Sequence, residues 1–142
     1  MKTIKNVRLI DFKRLDDSRG KLVIVGDKLP FPVKRVFYSY DPAIDAIRAN
    51  HANKNADFIL IAITGSFVVD VTDITGDRAV FKLDKPYVGL HLPPMTWKKI
   101  YDFSSDSVFM AMSNMTQLED EIIYDYDEFL DYEFADKRKI RK

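Results

Sequence analysis

Arg48-Ala49-Asn50-His51-Ala52-Asn53 leads, through Asp57, into the apolar run Phe58-Ile59-Leu60-Ile61-Ala62-Ile63, which stops at Gly65-Ser66. The run is short, rich in β-branched and aromatic residues, and closed by a turn pair, so it reads as a buried strand entering a hairpin at Gly65. Its polar lead-in carries one of the two histidines of a chain that has no cysteine. Histidine is the side chain that most readily serves as a base near neutral pH, which makes His51 the first candidate for proton chemistry.

Outward from this stretch the first three-quarters of the chain keeps the same character. Lys21–Val25, Arg35–Tyr40, Ser66–Thr72, Arg78–Leu83 and Ser107–Met112 are short strand-like segments. Turn chemistry separates them at Asp17-Ser18-Arg19-Gly20, Gly26-Asp27, Asp41-Pro42, Thr75-Gly76-Asp77 and Ser104-Ser105-Asp106. Strands spaced about ten residues apart predict an all-β sandwich or small barrel. Near the C-terminus the period changes. Ile122, Ile123, Tyr126, Phe129 and Leu130 recur at three- and four-residue steps, which predicts a helix whose apolar stripe packs on the barrel. The basic end, Lys137 to Lys142, complements the acidic start of that helix.

The 142 residues suit a single domain, 1–142, with the barrel over about 4–114 and the helical segment over about 118–138. The 22 basic and 22 acidic side chains balance, so nothing favours nucleic acid or an anionic membrane as partner. The absence of cysteine excludes disulfides, cysteine-ligated zinc and thiol catalysis. No apolar h-region follows the charges at Met1 to Asn6, and the longest apolar run is about six residues, so a cytoplasmic protein is expected.

The spacing around His51 follows a barrel metal site of the cupin type. Such a site takes His-x-His on one strand, a Glu four residues on, a hairpin Gly and a third His from a later strand. Residues two apart on a strand point the same way, so both face the lumen. Here the pair is His51-x-Asn53, the acid Asp57, the glycine Gly65, and Lys98 stands in place of the third His. One imidazole, an amide, a short carboxylate and an ammonium make a poor site for zinc, iron or manganese, so no metal and no cofactor is expected.

At lower resolution of motif but over nearly the whole chain, about residues 4 to 132, the sequence resembles the cupin-fold dTDP-4-keto-6-deoxyglucose 3,4-ketoisomerases, the WxcM-like sugar 3,4-ketoisomerases. The resemblance rests on Asp17-Ser18-Arg19-Gly20-Lys21-Leu22, Leu29-Pro30-Phe31-Pro32-Val33-Lys34-Arg35-Val36-Phe37-Tyr38, Arg48-x-x-His51-Ala52 and Val88-Gly89-Leu90. Pro94-x-x-Trp97, Asp102-Phe103-Ser104-Ser105-Asp106 and Tyr126-Asp127-x-Phe129 complete it. It implies a small cupin barrel, a double-stranded β-helix or jelly roll, with a C-terminal α-helix. Ala49 stands where the family has Gly, Asn53 where it has a second His, Phe37 where an aromatic hydroxyl is usual, and Tyr124 in place of an Arg.

The resemblance implies a metal-free isomerase that moves a ketone from C4 to C3 of a dTDP-linked 4-keto-6-deoxyhexose through an enediol, for deoxyamino sugars of surface polysaccharides such as O-antigen. It implies His51 as the base, with Lys98 and Tyr38 as further catalytic candidates able to donate to the enolate oxygen. Arg48 and Arg19 are the candidates for the diphosphate, because a guanidinium fork matches its oxygens. Asn53 is a candidate for a sugar hydroxyl and Trp97 for a wall of the site. Relatives pair as homodimers with exchanged N-terminal strands, which the apolar residues Val7, Leu9, Ile10 and Phe12 would suit. An epimerase of the same superfamily and a nucleotide-sugar-binding barrel without turnover are the competing readings. His91 is expected to be structural, and Asp57 to hold the hairpin or a neighbouring cation.

Overall fold

The apolar run at the centre of the sequence becomes a strand of a two-sheet barrel, buried from Phe58 to Ala62. The structure, a computed structural model, describes residues 4–132. The strands are β1 (Arg8–Asp11), β2 (Lys13–Asp17), β3 (Gly20–Ile24), β4 (Arg35–Ser39), β5 (Arg48–Asn53) and β6 (Phe58–Thr64), followed by β7 (Phe67–Asp73), β8 (Arg78–Leu83), β9 (Val88–Leu92), β10 (Thr96–Tyr101), β11 (Val108–Ser113) and β12 (Ile122–Ile123). One sheet has the order β1-β9-β6-β11-β4, the other β12-β5-β10-β7-β8, and β2-β3 is a separate hairpin. Among the described residues every ladder is antiparallel, as in a sheet built from hairpins and Greek-key turns. This is the all-β architecture that the strand spacing predicts, and the small cupin barrel that the resemblance implies.

Alternation explains the core. Leu60, Ala62, Leu90, Leu92, Phe109 and Ala111 of the first sheet meet Phe67, Val69, Val71, Leu83 and Ile100 of the second in one buried cluster. The other face of β6 is buried too: Ile59 and Ile61 lie with Phe12 and Met112 under Val23, Val25, Leu29 and Phe31. A strand covered on both faces has no polar positions, which is why its sequence reads as an unbroken apolar run.

Two glycines are demanded by contact. At Gly65, in the β6–β7 hairpin, φ is +69°, and a Cβ would collide with Ser104 Oγ and stand 2.7 Å from Asp106 Oδ1. At Gly89 a Cβ would lie 2.7 Å from the Phe12 ring and 2.9 Å from Ile59 Cγ2, so the N-terminal segment can seat only on a bare backbone.

The C-terminal helix, α1, starts later than the sequence period suggests. Ile122 and Ile123 are strand residues, pairing with Asn53 and Ala52 of β5. Asp125 then caps the helix: its Oδ1 accepts from the backbone N–H of Asp127 at 2.9 Å and of Glu128 at 3.2 Å. α1 is described over residues 126–132. Ile123 and Phe129 share one buried cluster with Ala52 and Trp97, so a strand residue and a helix residue mimic one helical stripe. The rest of the expected helix and the basic tail lie outside the described residues.

The apolar N-terminal segment, expected to suit exchange between subunits, forms β1, an edge strand of the first sheet beside β9, with Leu9 opposite Leu90.

Candidate active site

Lys98 and His51 face each other across the β10–β5 ladder. The register slips between Lys98 and Lys99, so Asn50 is the extra residue of a β-bulge. The bulge is built from left-handed residues, Ala49 at φ 63° and Asn50 at φ 62°. That backbone is unfavourable for a residue with a Cβ, and Ala49 is where the family resemblance implies glycine. The bulge turns Arg48 and His51 together onto one cavity of about 180 Å³, lined also by Phe37, Phe58, Lys98 and Phe109. Tyr124 stands edge-on to the His51 ring, 5.7 Å between centroids.

Two larger clefts, of about 560 and 400 Å³, open beside residues 42–47; Arg48 lines the second of them. Arg48 therefore borders both the His51 cavity and the roomier cleft next to it.

Lys98 is only 4% exposed. Its Nζ donates to Asn53 Oδ1 and lies 5.1 Å from the centre of the Phe58 ring. Asn53 Nδ2 donates to Asp120 Oδ2 at 2.8 Å, and Arg35 Nη2 donates to the same oxygen at 2.8 Å. Burial pushes the Lys98 ammonium down to about 7; Asp120 opposes that shift and Arg35 adds to it. Burial also pushes His51 down to about 4, helped by the Lys98 charge and opposed by Asp120. At neutral pH His51 is thus a neutral imidazole, able to accept a proton, beside a lysine near its midpoint.

The expected residues separate into two groups. His51, Lys98 and Arg48 come together on the cavity. Asn53 sits on the same inward face but is 2% exposed, and Asp120 and Lys98 occupy both ends of its amide. One end of that amide thus holds the lysine and the other is held by the carboxylate. Tyr38 is turned away: Phe37 lines the cavity, and alternation on β4 leaves Tyr38 66% exposed on the outer face. Trp97 alternates with Lys98 and likewise faces out, against Tyr126 and Phe129. Its Nε1–H donates to Asn50 Oδ1 at 3.3 Å, so it fastens the bulge from behind. Arg19 is exposed at the β2–β3 turn, paired with Asp17 at 2.7 Å and away from the cavity.

Asp57 and His91 form a separate pair: His91 Nε2 donates to Asp57 Oδ1 at 2.8 Å, and Asn114 braces the carboxylate from 3.2 Å. Among the described residues no cluster of three or more His, Cys, Asp or Glu could hold a metal ion. No described helix is long and apolar enough to cross a membrane. Asp120 and Arg35 were given no role by the sequence. They lie 67 and 18 residues from Asn53, with no motif linking them; an amide next to a buried ammonium needs an acceptor for its N–H₂, but the sequence does not say which carboxylate supplies it.

Comparison with known proteins agrees with this architecture. The family described as FdtA: WxcM-like, C-terminal, matches residues 5–133. The TDP-4-oxo-6-deoxy-alpha-D-glucose-3,4-oxoisomerase of Aneurinibacillus thermoaerophilus is 36% identical over 127 residues, 88% of this chain and 91% of that protein. The crystal structure of QdtA, a sugar 3,4-ketoisomerase from Thermoanaerobacterium thermosaccharolyticum in complex with TDP, superposes with a TM-score of 0.87 at 30% identity, covering 96% of this chain and 98% of that one. WlaRA, a TDP-fucose-3,4-ketoisomerase from Campylobacter jejuni, gives a TM-score of 0.83 at 33% identity over 89% and 95% of the two chains. The barrel, the bulge that aims His51, and these matches lead to one assignment: the chain belongs to the WxcM-like family of cupin-fold sugar-nucleotide 3,4-ketoisomerases.

Proposed function

We propose that the protein converts a dTDP-linked 4-keto-6-deoxyhexose to its 3-keto isomer through an enediol. The observation that carries this reading is the cross-strand pair His51–Lys98 at the wall of one cavity. Neutral His51 takes the proton from C3, and the C3–H electrons form the C3–C4 double bond. The C4 carbonyl oxygen becomes an enolate and takes a proton from Lys98, which gives the enediol. Lys98, now an amine, removes the O3 proton; the O3–C3 bond becomes the ketone, and C4 takes the proton from the His51 imidazolium. Each residue returns to its starting state, so no co-reactant is consumed.

Arg48 suits the diphosphate, because it borders the catalytic cavity and the adjoining cleft. A homodimer is supported by the outer face of β4, where Val36 and Tyr38 stay exposed, a surface suited to a second copy. We place the enzyme in the cytoplasm, supplying deoxyamino sugars for surface polysaccharides including O-antigen.

The test is incubation with dTDP-4-keto-6-deoxyglucose in deuterated water, followed by NMR. Exchange at C3 with appearance of a 3-keto product supports the reading. Exchange at C5 instead would mark an epimerase. Tight dTDP binding with no exchange would leave a binding barrel without turnover.

A further inference from the structure

Asp120 belongs to no motif, yet it is buried at the back of the site. Its side chain is 3% exposed. A structural Arg–carboxylate pair gains most from two parallel bonds. Here Arg35 and Asn53 converge on the single oxygen Oδ2, while Asp120 Oδ1 and Arg35 Nε, both buried, have no hydrogen-bond partner in the protein. Leaving two such atoms unpaired is unfavourable, so the arrangement serves something other than pairing. What it does is fix an amide. An Asn side chain can flip, presenting either oxygen or N–H₂. With Nδ2 held on a carboxylate, only Oδ1 can face Lys98.

We propose that Asp120 is the positioning residue of this site: by holding the Asn53 amide it fixes where the Lys98 head stands. The inference rests on the ketoisomerase reading for what the lysine does, but not for the geometry. The network replaces what a second histidine at position 53 would supply. An amide cannot carry a proton at neutral pH, so the chain moves that task to Lys98 and uses Asn53 as its holder.

The charges around Lys98 come from every side. His51 and Arg48 face the cavity from β5, Arg35 reaches from β4, and Asp120 stands before β12; Phe58 of β6 and the β7 neighbour Val71 are apolar. Asp120 favours the charged lysine and Arg35 disfavours it. Removing either partner therefore displaces the lysine in opposite directions, which loss of mere support would not do.

The experiment follows the Lys98 side chain by NMR titration in the ligand-free protein, assigned with Lys98→Arg, for wild type, Asp120→Asn and Arg35→Gln. Asp120→Asn is expected to move the titration to lower pH and Arg35→Gln to higher pH. In turnover, Asp120→Asn is expected to lose about tenfold in kcat at pH 8, with KM little changed. Displacement in the same direction, or none, would overturn the proposal. Should Asp120→Asn not fold, Asn53→Ala decides it, since Asp120 acts through that amide: a Lys98 titration and a kcat unmoved there would be equally contrary. Opposite displacements in a protein without turnover would support the network and sink the ketoisomerase reading instead.

Discussion

Lys98 faces His51 across the β10–β5 ladder, and its charge helps hold the imidazole neutral. One residue thus prepares the other: the ammonium proposed as donor to the enolate also helps to keep the proposed base unprotonated. The free-enzyme pH profile should record both. His51 must be neutral, so kcat/KM falls as pH drops through about 4; Lys98 must be charged, so it falls again above about 7. A bell with its maximum between these limbs is the expected kcat/KM profile, and a rate still rising above pH 8 would remove Lys98 from the donor role.

Lys98 should also shape stability. Its folded pKa of about 7 lies below the ordinary lysine value of 10.5, so the unfolded chain binds the proton more tightly. Below pH 7 the folded protein must bury the charge, and stability rises as pH climbs from 7 towards 10.5. Lys98→Met removes this dependence but leaves Asn53 Oδ1 without its donor, which costs about 1–3 kcal/mol. Urea unfolding at pH 6 and pH 9.5 should show a pH-dependent gain in wild type and little in the variant, together with loss of turnover. Equal slopes would mean that the lysine is hydrated, not buried.

The bulge that aims His51 is strained at Ala49, whose φ is 63°. Ala49→Gly should stabilise the protein by about 1 kcal/mol, because glycine accepts that conformation freely. Chemical denaturation measures it, and a loss of stability would show that the alanine methyl contributes more by packing. Trp97→Phe keeps most of the packing on α1 but removes the bond to Asn50. It should lower kcat while leaving the melting temperature within a few degrees, since the bulge loses its fastening.

Phe129 is fully buried against Trp97. Phe129→Ala should destabilise by about 3–5 kcal/mol, the usual effect of emptying such a site. Near-neutral behaviour would mean that α1 is not seated on β5 and β10.

The barrel was legible because alternation and turn chemistry are local. The β6 run and Gly65 read correctly from neighbours alone, since a strand buried on both faces has to be apolar throughout. The helix start was not legible, because Ile123 and Phe129 fill one cluster from two kinds of backbone. That His51 and Lys98 line one cavity was legible from spacing. Tyr38 and Trp97 did not reach the cavity because each is one residue out of phase with an inward neighbour, Phe37 and Lys98. Asp120 was invisible: its link to Asn53 spans 67 residues and depends on how two sheets close.

The most direct measurement is loss of the C3 proton in deuterated water, comparing wild type with His51→Gln on dTDP-4-keto-6-deoxyglucose. Wild type should exchange C3 and form the 3-keto product. His51→Gln, shown folded by its melting curve and its dTDP affinity, should exchange at least about a hundredfold more slowly. Exchange at the wild-type rate in His51→Gln would contradict the account.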